Sequence, residues 1–297
     1  MVQGIQEGDD NSLKSLQYGG ANEAQIIQQG DGNTSKSIQT LLDNTLEIHQ
    51  TGLNNSVLTY QSGAAGIRLP FNIKFKLGAG NDAKIYQEGD NNQSILLQNI
   101  LSVGGGNFAE VHISGNNNFS GQKQSGSESS AVVFQGDLLS GSTERIFGAS
   151  QNRRKGGGHG GASQNCDPET VAIPDPGVSG SDNAVAVQLQ VGHANNATVM
   201  QYGKPSVIGN MAFQTQSGSS NNATIYQETN YLGNLSKQAQ VGCDNSAVSV
   251  QVGNANAGLT IQNGNSNDAQ MMQMGVGTIS VIEQFGAQNG ANILISN

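Results

Sequence analysis

The sequence predicts an all-β chain, a two-sheet β-solenoid built as a stack of β-arches, with about 22 strands in 11 coils and one long inserted loop. Three observations predict it. Amide side chains are abundant, with 34 Asn and 31 Gln in 297 residues. They recur as the unit N-x-A-x-(I/V)-x-Q-x-G-x-x, which steps by 11 residues. Within each unit the inward positions alternate with period two, the signature of a strand rather than a helix. A Gly in every unit opposes helix further.

The unit can be followed along the chain. The first block, residues 1–135, carries Asn11 and Gln17, Asn22 and Gln28, Asn33 and Gln39, Asn44 and Gln50, and Asn55 and Gln61. It continues with Asn81 and Gln87, Asn92 and Gln98, and Asn118 and Gln124. Degenerate copies keep the phase: Val2–Gln6 supplies the back half of a first unit, and Pro70–Lys76 fills a slot between Gln61 and Asn81. Residues 136–183 hold three of the five prolines and the run Gly156–Gly161, and read as a long excursion or flexible loop. The second block, residues 184–297, is expected to continue the same solenoid. It carries Asn195 and Gln201, Asn210 and Gln216, Asn221 and Gln227, and Asn234 and Gln240. Asn245 and Gln251, Asn256 and Gln262, and Asn267 and Gln273 follow.

Each unit has a direct physical reading. Positions i, i+2, i+4 and i+6 share one face of a strand, so the inward face is amide, small, apolar or small, amide. Gly at i+8 (Gly19, Gly30, Gly52, Gly63, Gly89, Gly192, Gly253 and Gly264) falls where the chain reverses and where positive φ is tolerated. Strand, turn, strand, turn closes one coil in 22 residues. Stacked coils then place Asn over Asn and Gln over Gln, and each amide can satisfy the next. Short insertions after Gln61, Gln98, Gln201 and Gln227 fall in turns, and counting strands puts most of them on one edge of the rod.

Composition limits the function. A net charge of −9 argues against nucleic acid, which needs clustered Lys and Arg. The basic run Arg153–Lys155 reads as a solvated loop. No apolar stretch is long enough to span a membrane, so membrane insertion is not expected. No signal peptide precedes the patterned sequence, and the reading expects a mature form whose targeting segment has been removed. Cys166 and Cys243 are compatible with one disulfide or with two free thiols. His49, His112, His159 and His193 are scattered, so no metal site, catalytic residue or cofactor is expected. Solenoids that stay monomeric normally hide their terminal edges. Here the patterned strands reach both ends of the sequence, which leads to the expectation of a homopolymer joined head-to-tail through uncapped solenoid ends.

At the level of motif the chain resembles the curlin-repeat family of bacterial curli subunits, whose repeat reads S-x5-Q-x-G-x2-N-x-A-x3-Q. Residues 11–28 match it with Asn11 in place of the initial Ser, and residues 245–262 match it with Gly258 in place of Ala. The resemblance implies an extracellular functional amyloid, a cell-surface fibre subunit of the biofilm matrix that aids surface adhesion. It also implies a nucleator subunit, an outer-membrane secretion pore and periplasmic chaperones as partners. Two other readings remain open at this point: a monomeric β-solenoid that binds ice, a glycan or a receptor, and a β-helix enzyme that cleaves polysaccharide. The first would show a regular outward array. The second would cluster charged residues along one outer sheet.

Overall fold

The computed structural model describes residues 1–63, 65–68, 74–77, 80–99, 105–138, 178–179, 183–203, 209–229 and 231–297. Among them every regular element is a strand. The first are β1 (Val2–Glu7), β2 (Ser12–Gly20), β3 (Glu23–Gln29), β4 (Thr34–Leu42), β5 (Thr45–Thr51) and β6 (Ser56–Ser62). Next come β7 (Ala65–Arg68), β8 (Lys74–Leu77), β9 (Asp82–Glu88), β10 (Gln93–Gln98), β11 (Phe108–Ser114) and β12 (Phe119–Ser127). Around the long excursion lie β13 (Ser130–Leu138), β14 (Val178–Ser179), β15 (Val185–His193) and β16 (Asn196–Gly203). The rest are β17 (Met211–Ser219), β18 (Asn222–Thr229), β19 (Leu235–Cys243), β20 (Ser246–Asn254), β21 (Ala257–Asn265), β22 (Asp268–Val276), β23 (Ile279–Ala287) and β24 (Gly290–Ser296).

The chain is a two-sheet parallel β-solenoid. Sheet one stacks β1-β3-β5-β9-β11-β13-β16-β18-β20-β22-β24, and sheet two stacks β2-β4-β6-β10-β12-β15-β17-β19-β21-β23. Every neighbouring pair in these two stacks is parallel and keeps the motif in register, as in Gln28↔Gln50 and Gln240↔Gln262. Strands β12 and β13 of the first block pair directly with β15 and β16 of the second.

The strand count corrects one expectation. Among the described residues, eleven strands stack in one sheet and ten in the other, 21 rather than 22, so there are slightly fewer coils than expected. The Pro70–Lys76 slot is not a rung: β5 pairs with β9 and β6 with β10 across it. Its last residues lie in β8, which pairs antiparallel with β7 as a hairpin outside the stack. The sequence supplies the reason. Pro70 and Lys76 would stand where Asn and Gln are required, and neither can join an amide ladder.

Losing that rung also changes the edges. The insertions after Gln61 and Gln98 leave from sheet two, whereas residues 136–183 and the insertions after Gln201 and Gln227 leave from sheet one. Excursions are therefore shared between the two edges, two on one and three on the other, rather than gathered on one. Strand β14 pairs antiparallel with the end of β13, so the long excursion departs and returns as a short ribbon. The remainder of that segment, with Arg153–Lys155, His159 and Cys166, lies outside the described residues.

The core between the sheets is unequal. Sheet one contributes Ala at i+2 and Ile or Val at i+4, among them Ala24 and Ile26, Ala83 and Ile85, and Ala223 and Ile225, all at most 1% exposed. Sheet two faces them with Ser35 and Ser37, Thr59, Ser120 and Ser236. A thin slab of Ala, Ile and Ser fills the gap, so the low hydrophobic content suffices. Gly258 stands where the motif has Ala because Met271 lies opposite, and a Cβ there would run into its sulfur.

Most turns use two left-handed residues. Gly at i+8 has positive φ at Gly19, Gly30, Gly52, Gly89, Gly192, Gly253 and Gly264. Gly63 does not share it; its constraint is close approach to the Leu42 carbonyl. The residue just before most of the Asn is the second, usually non-Gly, as at Asn54, Asn91 and Ala255. In one turn Leu41, 40% exposed, occupies the Gly position with φ 67°. Left-handed backbone costs an ordinary L-residue about 1–2 kcal/mol, and little burial is lost with this side chain. Leu41→Gly is therefore expected to raise unfolding free energy by about 1 kcal/mol in chemical denaturation.

Candidate assembly surface and its amide ladders

Apart from Asn11 and Gln17 in the first coil, every Asn and Gln singled out by the motif is buried. The two amide types do different work. The Gln side chains form true ladders. In sheet two an unbroken column runs Gln17, Gln39, Gln61, Gln98, Gln124, Gln190, Gln216, Gln240, Gln262 and Gln284. Each Nε2 donates to the next Oε1 at 2.6–3.0 Å. The same amide reaches across the core to the other sheet, as Gln124 does to the Phe108 carbonyl at 2.9 Å. One side chain thus ties coil to coil and sheet to sheet.

In sheet one the column is divided. Gln6, Gln28, Gln50 and Gln87 are linked, and so are Gln135, Gln201, Gln227, Gln251 and Gln273. Ile113 stands between the two runs. Gln87 turns its amide to Ser94 Oγ at 3.0 Å, and Gln135 Oε1 is left without a partner. Ile295 ends the second run in the same way.

The Asn side chains act mainly as turn braces. Oδ1 accepts the backbone N–H at the next coil's equivalent position, as from Asn55 to Asn33 at 3.0 Å. Nδ2 donates to the turn carbonyls of its own coil and the coil above. Asn33 reaches Gln29 at 3.2 Å and Gly52 at 2.9 Å, and Asn245 reaches Val241 at 3.3 Å and Gly264 at 2.8 Å. Direct Asn-to-Asn contacts occur as well, for instance Asn44 to Asn22 and Asn221 to Asn195. Position by position, Asn22, Asn81, Asn92, Asn118, Asn195, Asn210, Asn234, Asn256 and Asn267 all sit at the mouths of strands in this role. Asn11 does so in the first coil.

Two features escaped the sequence reading. A second buried Gln column, Gln122, Gln188, Gln214 and Gln238, runs at i+4 of sheet two, linked at 2.9–3.1 Å. Its signal was Gln-x-Gln recurring at the end of four successive even-numbered units. The other is an outward column in sheet one. His49, Tyr86, His112 and Phe134 stack ring on ring with centroids 5.2, 4.7 and 5.0 Å apart. Beside it His49 bonds Glu47 at 3.0 Å and His112 bonds Glu110 at 2.8 Å. His112 holds the Glu110 carboxyl below its ordinary range, whereas burial pushes Asp82 up. Among the described residues no group of three or more His, Cys, Asp or Glu is placed to hold a metal. Cys243, at the end of β19, is half-exposed.

No protein-family model matches the chain, and no curated protein matches it. What fold and ladders define is a class: a two-sheet β-solenoid whose interior is held by stacked amides.

Three outcomes follow from this geometry. Gln124→Leu removes one member of the long column, so the Gln98 amide loses its ladder acceptor and the buried Gln190 carbonyl loses its amide donor. A loss of about 2–4 kcal/mol in denaturant unfolding is expected. Ile113→Gln should do the opposite by joining the two runs of sheet one, with a gain of about 1 kcal/mol. Burial, aided by a hydrogen bond to Glu47, raises Tyr86 to about 12, and burial raises Tyr202 to about 12. A raised folded-state value means stability that is complete below the free tyrosine range and lost as pH rises through the folded one. Unfolding free energy should fall between about pH 10 and 12, and phenolate absorbance of Tyr86→Phe should lack one late-titrating group.

Proposed function

We propose that the protein is a structural subunit that self-assembles head-to-tail into extracellular, curli-like fibres serving a biofilm matrix and surface adhesion. The observation that carries this reading is the ten-residue Gln column of sheet two, which repeats one junction from the first coil to the last. Every interior coil offers its neighbour a parallel strand edge and the sheet-two amide ladder, and most offer an Asn-braced turn. The outermost coils offer those groups too. Strand β1 is exposed along its whole length, and Gln17 is half-exposed where Gln39, one coil in, is fully buried. Another copy of the chain meets those groups better than any unrelated surface, since it repeats both the spacing and the donor pattern. Outside the cell, secretion would require the pore, chaperones and nucleator that the curlin resemblance implies.

Purified protein incubated at micromolar concentration should form thioflavin-positive fibres that seed fresh monomer. Their diffraction should show a meridional reflection at about 4.7–4.8 Å. A protein that stays monomeric for days at high concentration would instead support the binding-module reading.

A further inference from the structure

The two halves of each coil are interchangeable. Gln Nε2 reaches the carbonyl sixteen residues earlier whichever sheet it starts from: Gln28 to Ser12 at 3.2 Å, Gln39 to Glu23 at 2.9 Å, Gln50 to Thr34 at 3.3 Å and Gln61 to Thr45 at 2.9 Å. A half turn about the stacking axis, with an advance of half a rung, therefore carries each strand onto the next. Among the described residues of Met1–Asn297, however, the stack is odd: its 21 strands begin and end, at β1 and β24, in the same sheet.

An odd stack cannot be continued by simple translation. A second copy laid on the β24 end without rotation pairs its β1 with β24, but its β2 then stands two rungs from β23. One strand-wide slot in sheet two stays open, with unpaired backbone on both sides and no ladder acceptor for the Gln284 amide, a costly arrangement. A copy turned by half a revolution closes the slot. Its β1 lies on β23 and its β2 on β24.

We infer that in fibres assembled from the chain Met1–Asn297 successive copies are related by a half turn about the fibre axis; the inference rests on the assembly reading above and deepens it. The register of the interior then fixes the contacts. The added copy's Gln6 lies over Gln284 and accepts its amide proton. Its own amide reaches the Gly290 carbonyl, the equivalent of the sixteen-residue contact. Asn289 Oδ1 receives the backbone N–H of the added copy's Asn11, as Asn33 receives that of Asn55. Each copy advances the fibre by half of 21 rungs, about 50 Å at about 4.8 Å per rung. The later excursions of one copy share an edge with the earlier excursions of the next, and protrusions alternate sides.

Cysteine pairs read the rotation directly. In the half-turn junction Ile5 faces Glu283 of the neighbouring copy, about 4.8 Å away between Cα atoms, within disulfide range. In the unrotated junction Ile5 faces Leu294 instead. All three side chains are exposed, and Ile5 and Glu283 lie at opposite ends of one molecule, so a bond between them must join two copies. Fibres of a Cys166→Ser, Cys243→Ser chain carrying Ile5→Cys and Glu283→Cys should oxidise to a ladder of covalent multimers. The chain with Ile5→Cys and Leu294→Cys should stay monomeric on a non-reducing gel. Linking of the second pair, or of neither pair, in fibres seen by electron microscopy overturns the half turn alone. Absence of fibres from the Ser-substituted parent and from the unaltered chain overturns the assembly reading and this inference with it.

Discussion

A buried amide tolerates no missing partner, and that constraint organises this protein. Each interior Gln must find an acceptor for two N–H hydrogens and a donor for its carbonyl in a slab too thin to admit water. The solution is to accept from the coil below, donate to the coil above and donate across to the facing sheet. Gln124 does all three, from Gln98, to Gln190 and to Phe108. Once that geometry is required, strands must lie in register, coils must have equal circumference and turns must open at fixed places. The hydrophobic contribution is modest, because the core is one side chain deep and half of it is Ser, Thr and Gln. Hydrogen bonds therefore supply the specificity that packing supplies in thicker folds.

The turns answer to the same constraint. An Asn at each strand mouth can brace two turn carbonyls only if the preceding residues curl back toward it, which demands left-handed backbone on either side of one intervening residue. Glycine carries the first of these positions in nearly every coil. At the second, Asp, Asn, Ser or Ala stands far more often than Gly. Asn and Asp visit that region more readily than other residues, but Ala194, Ala255 and Glu128 do not share this advantage. There the turn is imposed by the coils above and below it rather than by local preference.

The architecture was legible because its rule is written once per eleven residues: period two in each strand, Gly after it, amides six apart. The failures have the same physical form. Pro70–Lys76 has the length of a unit but lacks the amides at both ends, so spacing alone does not make it a rung. The Gln122 column departs from the repeat because i+4 is apolar or small in sheet one, whereas sheet two fills it with Gln in four successive coils. The ring stack of His49, Tyr86, His112 and Phe134 is visible only when sequence is read down a column across interrupted spacings. Adjacent copies conceal it, because neighbours in sequence belong to opposite sheets.

The ladders also have direction. Gln donates to Gln toward the C-terminal end of the stack, as from Gln28 to Gln50, whereas in the direct Asn-to-Asn contacts the donor faces the N-terminal end, as from Asn44 to Asn22. The two ends of the rod therefore differ chemically. At one, the Gln6 and Gln17 carbonyls stand without amide donors beneath them in their columns; at the other, the Gln284 amide and the Asn289 carbonyl face outward. Joining like ends sets acceptor against acceptor, and antiparallel strand edges besides. Joining unlike ends sets donor against acceptor at each column that continues. The interruptions at Ile113 and Ile295 fall in one sheet only, so the other column crosses every interior coil, and it alone has an amide ready at the end of the stack. A rod of this kind has a polarity fixed by its side chains as firmly as by its backbone.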